Sequence, residues 1–248
     1  MQDFTHYTPN TPRLEVTGRT NISSETLFFQ HVYIWMFIGL ALTALTGYTI
    51  ASSEAWLTFL SGNSFILIWV TLLQLGLVFY LSARIDQMSA ATARGIFMLY
   101  SALTGATFSA LLLVYPSLAF VKTFICTAGI YGAMAVYGLV TKKSLEAWGG
   151  FLFMGVIGLV LASLVNMFMQ SGPFDLTICV IGVFVFAGLT AYDHQKLRVR
   201  HHVLTKGVTG FELAEQESRV VIIGALQLYL DFINIFLFLL RLFGSRRD

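Results

Sequence analysis

The sequence contains few charged residues. Asp, Glu, Lys and Arg make up 11% of its 248 residues, whereas a soluble domain typically carries about 25%. Hydrophobic residues make up 56%, and the mean hydropathy is +0.75. This composition excludes a water-soluble globular protein and makes the lipid bilayer the main partner. The net charge is only +2 and the basic residues are dispersed, so nucleic-acid binding is not indicated.

Cysteine is also scarce, and the beginning of the chain lacks the features of a signal peptide. Cys126 and Cys179 both lie in apolar runs without metal-ligand spacing, which favours buried hydrophobic side chains over a disulfide. The N-terminal segment has neither a basic start nor a short apolar core. We therefore expect the first apolar run to act as the membrane-insertion signal.

Apolar runs dominate what remains of the sequence. A bilayer core of about 30 Å requires roughly 20 apolar residues per helix. Seven runs have about this length: 29–51, 63–83, 95–115, 118–140, 150–170, 175–193 and 221–242. All four prolines lie outside them, at Pro9, Pro12, Pro116 and Pro173. We predict an all-α polytopic membrane protein, with a flexible polar tail at 1–27 and a seven-helix membrane domain at 28–248.

The distribution of basic residues predicts the orientation of the first six spans. With the N-terminus inside, the external loops carry only Lys122. The internal segments then carry Arg13, Arg19, Arg84, Arg94, Lys142, Lys143, Lys196, Arg198, Arg200, Lys206 and Arg219. This asymmetry predicts a cytoplasmic N-terminus, and in a bacterium it predicts location in the inner membrane.

The seventh run is ambiguous. If it crosses the membrane, Arg241, Arg246 and Arg247 lie outside, against the charge rule. If it enters and turns back, they lie inside. The length of the run favours crossing, and we predict a seventh helix surrounded by the other six.

One face of this run is polar. Gln227, Asp231, Asn234 and Arg241 lie at i, i+4, i+7 and i+14, which places them on one side of a helix. A carboxylate at the centre of a membrane helix costs about 2.5–3.5 kcal/mol on insertion scales. Asp231 should therefore face partner helices or water.

The best candidate partner is Asp193, at the end of the sixth run, which shares a helix face with Thr190. Because Lys196 and Arg198 follow closely, Asp193 could instead be a solvated acid at a loop edge. Two buried carboxylates within hydrogen-bond reach share a proton. Such a pair is a pH-responsive contact between helices, and its oxygens suit Ca²⁺.

Other polar residues are weaker candidates. Gln74, with Thr71 one turn earlier, gives the second run a modest polar face. Arg84 is either a solvated interface charge or a counter-charge at the cytoplasmic mouth. The segment 194–219 contains three histidines among charged residues, and we interpret it as a solvated loop.

Two motifs around the aspartates carry a resemblance: Leu189-Thr-Ala-Tyr-Asp-His-Gln-Lys196 and Leu228-Tyr-Leu-Asp-Phe-Ile-Asn234. Three further segments, 97–105, 158–166 and 240–244, extend it from about residue 28 to the C-terminus. The chain resembles the bacterial type of the transmembrane Bax inhibitor motif family (Bax inhibitor-1-like).

The resemblance implies seven helices with the seventh at the centre, and a pH-sensitive calcium leak across the membrane. It implies that Asp193 and Asp231 act as pH sensor and gate. Candidate pathway residues are Asn234, Gln227, Gln74, Thr190 and Arg84. Arg84 matches the family's basic residue loosely, and Gln74 replaces a Glu of some relatives. Ca²⁺ and protons are the expected partners, with no resident cofactor and no enzymatic activity.

Two other functions remain open. Tyr192-Asp193 resembles half of an intramembrane aspartyl protease site. Two carboxylates that share a proton can act as the general acid and the general base of such an enzyme. The bulky Leu228-Tyr-Leu230 segment before Asp231 counts against that function. The chain could also be a non-catalytic regulator of other membrane proteins, contacted through its tail and segment 194–219.

Overall fold

The computed structural model describes residues 14–56, 58, 63, 65–207 and 211–244. Long helices account for most of them: α1 (Leu14–Ala51), α2 (Ile66–Arg84), α3 (Ala90–Val114), α4 (Ser117–Val140), α5 (Glu146–Met169), α6 (Gly172–Gly207) and α7 (Phe211–Phe243). A single 3₁₀ turn, Ile85–Gln87, follows α2. These ranges contain no β-strand, and all seven helices are long and apolar enough to cross a membrane. The all-α membrane fold is confirmed.

The seventh helix is central. In its apolar segment 78% of the residues are buried, compared with 11% in α2 and α5. It packs against α1, α3, α4 and α6, whereas α2 packs mainly on α3 and α5 mainly on α6. The helix is unbroken from Phe211 to Phe243, so it does not enter and turn back. Arg246 and Arg247, which made the topology ambiguous, lie outside the described residues.

Small residues bring some helices close together. Ser101, Gly105 and Ser109 form a buried face of α3, and Gly105 packs against Thr43 and Thr46 of α1. A Cβ added at Gly129 of α4 or at Gly158 of α5 would meet nothing within 4 Å. Small residues permit close approach of helices, and here only some of them lie at such a contact.

The N-terminal boundary differs from the predicted one. The proposed flexible tail covered 1–27, but α1 begins at Leu14; residues 1–13 lie outside the described part of the chain. Glu25 pairs with Arg198 at 2.9 Å and with His202 at 3.3 Å. These contacts join α1 to α6 at Glu25, within the segment predicted as a tail.

The predicted loop 194–219 is mostly helical. α6 continues to Gly207 and α7 begins at Phe211, with 208–210 not described. His201 is 1% exposed, and its ring stacks on Phe28 with centroids 4.6 Å apart. This packing buries one side of the extended part of α6. The segment is therefore helical although its composition is polar.

Candidate functional site

Asp231 lies within the most buried part of α7. Its side chain is 3% exposed, and the oxygen Oδ2 is buried without a hydrogen-bond partner among the described residues. Tyr229 and Leu228 before it are fully buried, and Phe232 after it is 5% exposed. A buried carboxylate without compensating bonds is costly when charged, so the surroundings of Asp231 favour its neutral form or a bound cation.

Asp193 comes from α6, which runs antiparallel to α7 and is packed along it. The Asp193 and Asp231 carboxylates lie close enough to act on each other electrostatically. Lys196, one turn further along α6, also acts on Asp193. Asp193 is half-buried and sits inside a helix, so it is not an acid at a loop edge. The structure therefore places the two acids on adjacent helices that pack along each other.

Tyr131 of α4 adds an aromatic wall to this pair. It is 7% exposed, and both carboxylates act on it electrostatically. Its hydroxyl donates to Met36 Sδ at 3.4 Å, and its ring meets that of Phe232 edge-on at 5.5 Å. Three helices, α4, α6 and α7, thus surround the carboxylate site.

His194 meets the Tyr131 ring edge-on, with centroids 5.7 Å apart, and is fully buried. Its Nδ1 lies 2.6 Å from the Thr190 carbonyl oxygen. Since a carbonyl oxygen only accepts, Nδ1 carries a proton and donates it. In the neutral ring Nε2 then accepts from the Tyr33 hydroxyl at 3.0 Å. The i, i+4 spacing of Thr190 and His194 was the sequence signal for this contact. The interpretation of 194–219 as a loop concealed it.

The remaining candidate lining residues do not converge on the pair. Gln74 is buried on peripheral α2, and its Nε2 has no partner among the described atoms. Arg84 is exposed and donates to Gln87 at 2.7 Å. Thr190 bonds its own helix through the Phe186 carbonyl oxygen. Neither the Arg84 nor the Thr190 hydrogen bond reaches an aspartate.

The polar face of α7 divides into separate contacts. Asn234 donates to the Leu230 carbonyl oxygen of its own helix, and Gln227 is partly exposed. Arg241 pairs with Asp175 at the start of α6. Of the polar residues on α7, Asp231 is the acid of the candidate site.

The pair supplies few ligands for a metal ion. Across the described ranges, no group of three or more His, Cys, Asp and Glu side chains is arranged to hold one. Calcium in proteins usually takes about 6–8 oxygen ligands. Asp193 and Asp231 are therefore better suited to a cation that keeps most of its water ligands than to a tightly held resident ion.

Comparison with known proteins agrees with the architecture. Residues 25–248 match the family model described as "Inhibitor of apoptosis-promoting Bax1". The chain is 46% identical to the inner membrane protein YbhL of Escherichia coli K12 over 237 residues, covering 95% of this chain and 98% of that protein.

Other bacteria have relatives of similar length. A protein of Deinococcus radiodurans is 45% identical, covering 95% of this chain and 97% of its own. A membrane protein of Streptococcus pyogenes serotype M1 is 34% identical, covering 88% and 92%. The chain is therefore a multi-pass integral membrane protein that belongs to the Bax inhibitor-1 family.

Proposed function

We propose that the chain is a pH-sensitive cation leak channel that passes Ca²⁺ and is gated by Asp193 and Asp231. The observation that carries this proposal is the unpartnered carboxylate oxygen of Asp231, on the central helix beside a second acid. Membrane proteins place ionisable residues inside the bilayer mainly along ion and proton paths. The family resemblance points to the same activity.

The proposed gate works through proton number. In the closed state the two carboxylates share one proton, which joins α6 to α7. Acidification adds a second proton, removes the shared charge and weakens this contact, so that α7 shifts relative to α6. Ca²⁺ favours the deprotonated carboxylates and competes with protons. The leak therefore rises on acidification.

The proposed orientation follows from the basic residues. Arg198, Arg200 and Lys196 lie near one end of α6, and Lys143 lies in the α4–α5 connector. The positive-inside rule assigns this side to the cytoplasm. With the inner-membrane relative in Escherichia coli, the proposal places the protein in the inner membrane with a cytoplasmic N-terminus.

An enzymatic role has less support, and we propose a non-enzymatic function. An aspartyl protease needs space for a substrate backbone between its carboxylates. Leu228 and Tyr229 are fully buried beside Asp231, and Phe232 packs on Tyr131. With this packing, side chains occupy the space beside Asp231 that a substrate backbone would need.

The direct test is calcium entry into liposomes that contain the purified protein and a trapped calcium indicator. The proposal expects entry faster than in protein-free liposomes, with a rate that rises as the external pH falls. Entry indistinguishable from that of empty liposomes at every pH would refute it. Adding a fluorogenic membrane peptide to the same liposomes tests the protease function, which requires cleavage that an aspartyl-protease transition-state inhibitor blocks.

A further inference from the structure

An apolar groove opens on the side of the molecule where α4 and α5 both pack on α6. Its volume is about 540 Å³, within the range of about 300–1,000 Å³ for small-molecule sites. Gly188 and Ala191 of α6 form part of its floor, while Tyr137 of α4 and Trp148 of α5 form part of its walls. Trp148 is 58% exposed. The groove lies between helices apolar enough to span a membrane, so its apolar part faces lipid chains.

A polar pocket of about 470 Å³ continues from one end of this groove. The two cavities share Ser144 and Tyr192. Lys196 and Arg200 line the polar pocket, and Lys143 lines the neighbouring end of the groove. Glu146 is the acidic residue of the pocket. Asp86 lies 3.9 Å from Arg200 as a second, largely exposed acid, so three cations against two anions give this end a net positive charge.

Gln195 fixes the shape of the polar end. Its Nε2 donates to the Lys143 carbonyl oxygen at 2.9 Å, and its Oε1 accepts from the Leu145 N–H at 2.6 Å. This one side chain clamps both sides of Ser144 in the α4–α5 connector against α6. The Lys196 ammonium lies 5.6 Å from the centre of the Tyr192 ring. The hydrogen bonds of Gln195 therefore fix the α4–α5 connector, which carries Lys143, relative to α6, which carries Lys196 and Arg200.

We propose that the groove and the pocket together bind one anionic phospholipid, with an acyl chain in the groove and the phosphate beside Lys196, Arg200 and Lys143. Basic pockets between membrane helices on the cytoplasmic side bind anionic headgroups, and Trp is enriched where the headgroups meet the hydrocarbon. A soluble anion would use only the polar pocket. A lipid uses both cavities, which meet at Ser144 and Tyr192.

The site extends beyond the proposed channel activity and does not depend on it. Tyr192 lines both cavities and directly precedes Asp193. Asp193, Lys196 and Arg200 follow one another within two turns of α6. The lipid headgroup would therefore lie beside the helix segment that carries one gate residue.

Tryptophan quenching by brominated lipids tests the proposal, because Trp148 lines the groove. The full chain and its Trp148→Phe variant are placed in vesicles of phosphatidylglycerol and phosphatidylcholine in which one lipid is brominated. The difference between the two proteins reports lipid contact at Trp148. We expect brominated phosphatidylglycerol to quench Trp148 more strongly than brominated phosphatidylcholine at equal mole fraction.

Lys196→Gln should lower this preference about fivefold, the effect of one basic residue beside an anionic headgroup. Arg84→Gln removes an equal charge from exposed α2 and is expected to leave the preference unchanged. Equal quenching by both lipids would overturn the proposal, as would an equal loss in both variants. Relief of quenching by inorganic phosphate would assign the pocket to a soluble anion instead. Helix content measured by circular dichroism confirms that each variant is folded.

Discussion

The hydroxyl oxygens of Tyr229 and Thr43 lie 2.6 Å apart, where α7 meets α1. Thr43 Oγ1 also lies 2.9 Å from the Ser101 carbonyl oxygen of α3. The rings of Phe97 and Tyr100 meet the buried Tyr229 ring edge-on. The central helix is therefore tied to α1 and α3 two residues before Asp231, on the opposite side from its contact with α6.

Replacing Tyr229 with Phe should destabilise the protein by about 1 kcal/mol. The ring packing remains, but one buried hydrogen bond is lost, and such bonds contribute about 0.5–1.5 kcal/mol. Tyr48→Phe on α1 is a suitable control because Tyr48 is 69% exposed. Thermal unfolding in detergent measures both variants. Equal stability of the two would show that the Tyr229–Thr43 bond contributes nothing.

Gly138→Ala should disrupt the contact between α4 and α6. An added Cβ would lie 2.9 Å from the Ala191 Cα, and backbone cannot rotate away as a side chain can. We expect a loss of about 1–3 kcal/mol or more, as in other overpacked cores. Gly132→Ala on the same helix meets nothing within 4 Å.

The Gly132 control should be neutral or slightly stabilising, because Ala favours a helix over Gly by about 0.5–1 kcal/mol. Unfolding temperatures in one detergent compare the two alanine variants directly. A Gly138→Ala protein as stable as Gly132→Ala would show that α4 and α6 are not in close contact at Ala191.

Asp175 and Arg241 should be energetically coupled. They pair near the end of α7, and Asn166 of α5 donates to Asp175 at 3.2 Å. Asp175→Asn and Arg241→Gln should each lower the unfolding temperature. The double variant should lose less than the sum, since both single changes remove the same contact. Strictly additive losses would mean that the two residues act independently.

Hydropathy was sufficient to predict seven helices, because each crossing requires a long apolar run and no soluble domain competes. The anomalous acid at Asp231 identified the buried helix, since a lipid-facing carboxylate is too costly. The start of α1 and the end of α6 were not predictable in this way. His201 stacks on Phe28 and Glu25 pairs with Arg198, and these partners are distant in sequence, where a local window does not reach.

The site was only partly predictable for the same reason. The polar face that carries Asp231 and the position of Asp193 at the end of the sixth run suggested a pair, but their relative depth depends on how α6 packs along α7. Tyr131, Tyr33 and Met36 come from other helices, and nothing local in the sequence marks them as neighbours of the acids. Glycine patterns were equally ambiguous, since Gly138 is in close contact while Gly132 on the same helix is open.

The pH dependence of calcium flux in the aspartate variants tests the central claim most directly. Asn keeps the size of Asp but does not take up or release a proton in this range. In liposomes, Asp231→Asn and Asp193→Asn should each abolish the rise in flux on acidification. Asp86→Asn should retain it, because the Asp86 side chain is 87% exposed. An unchanged rate and pH midpoint in both gate variants would contradict the account.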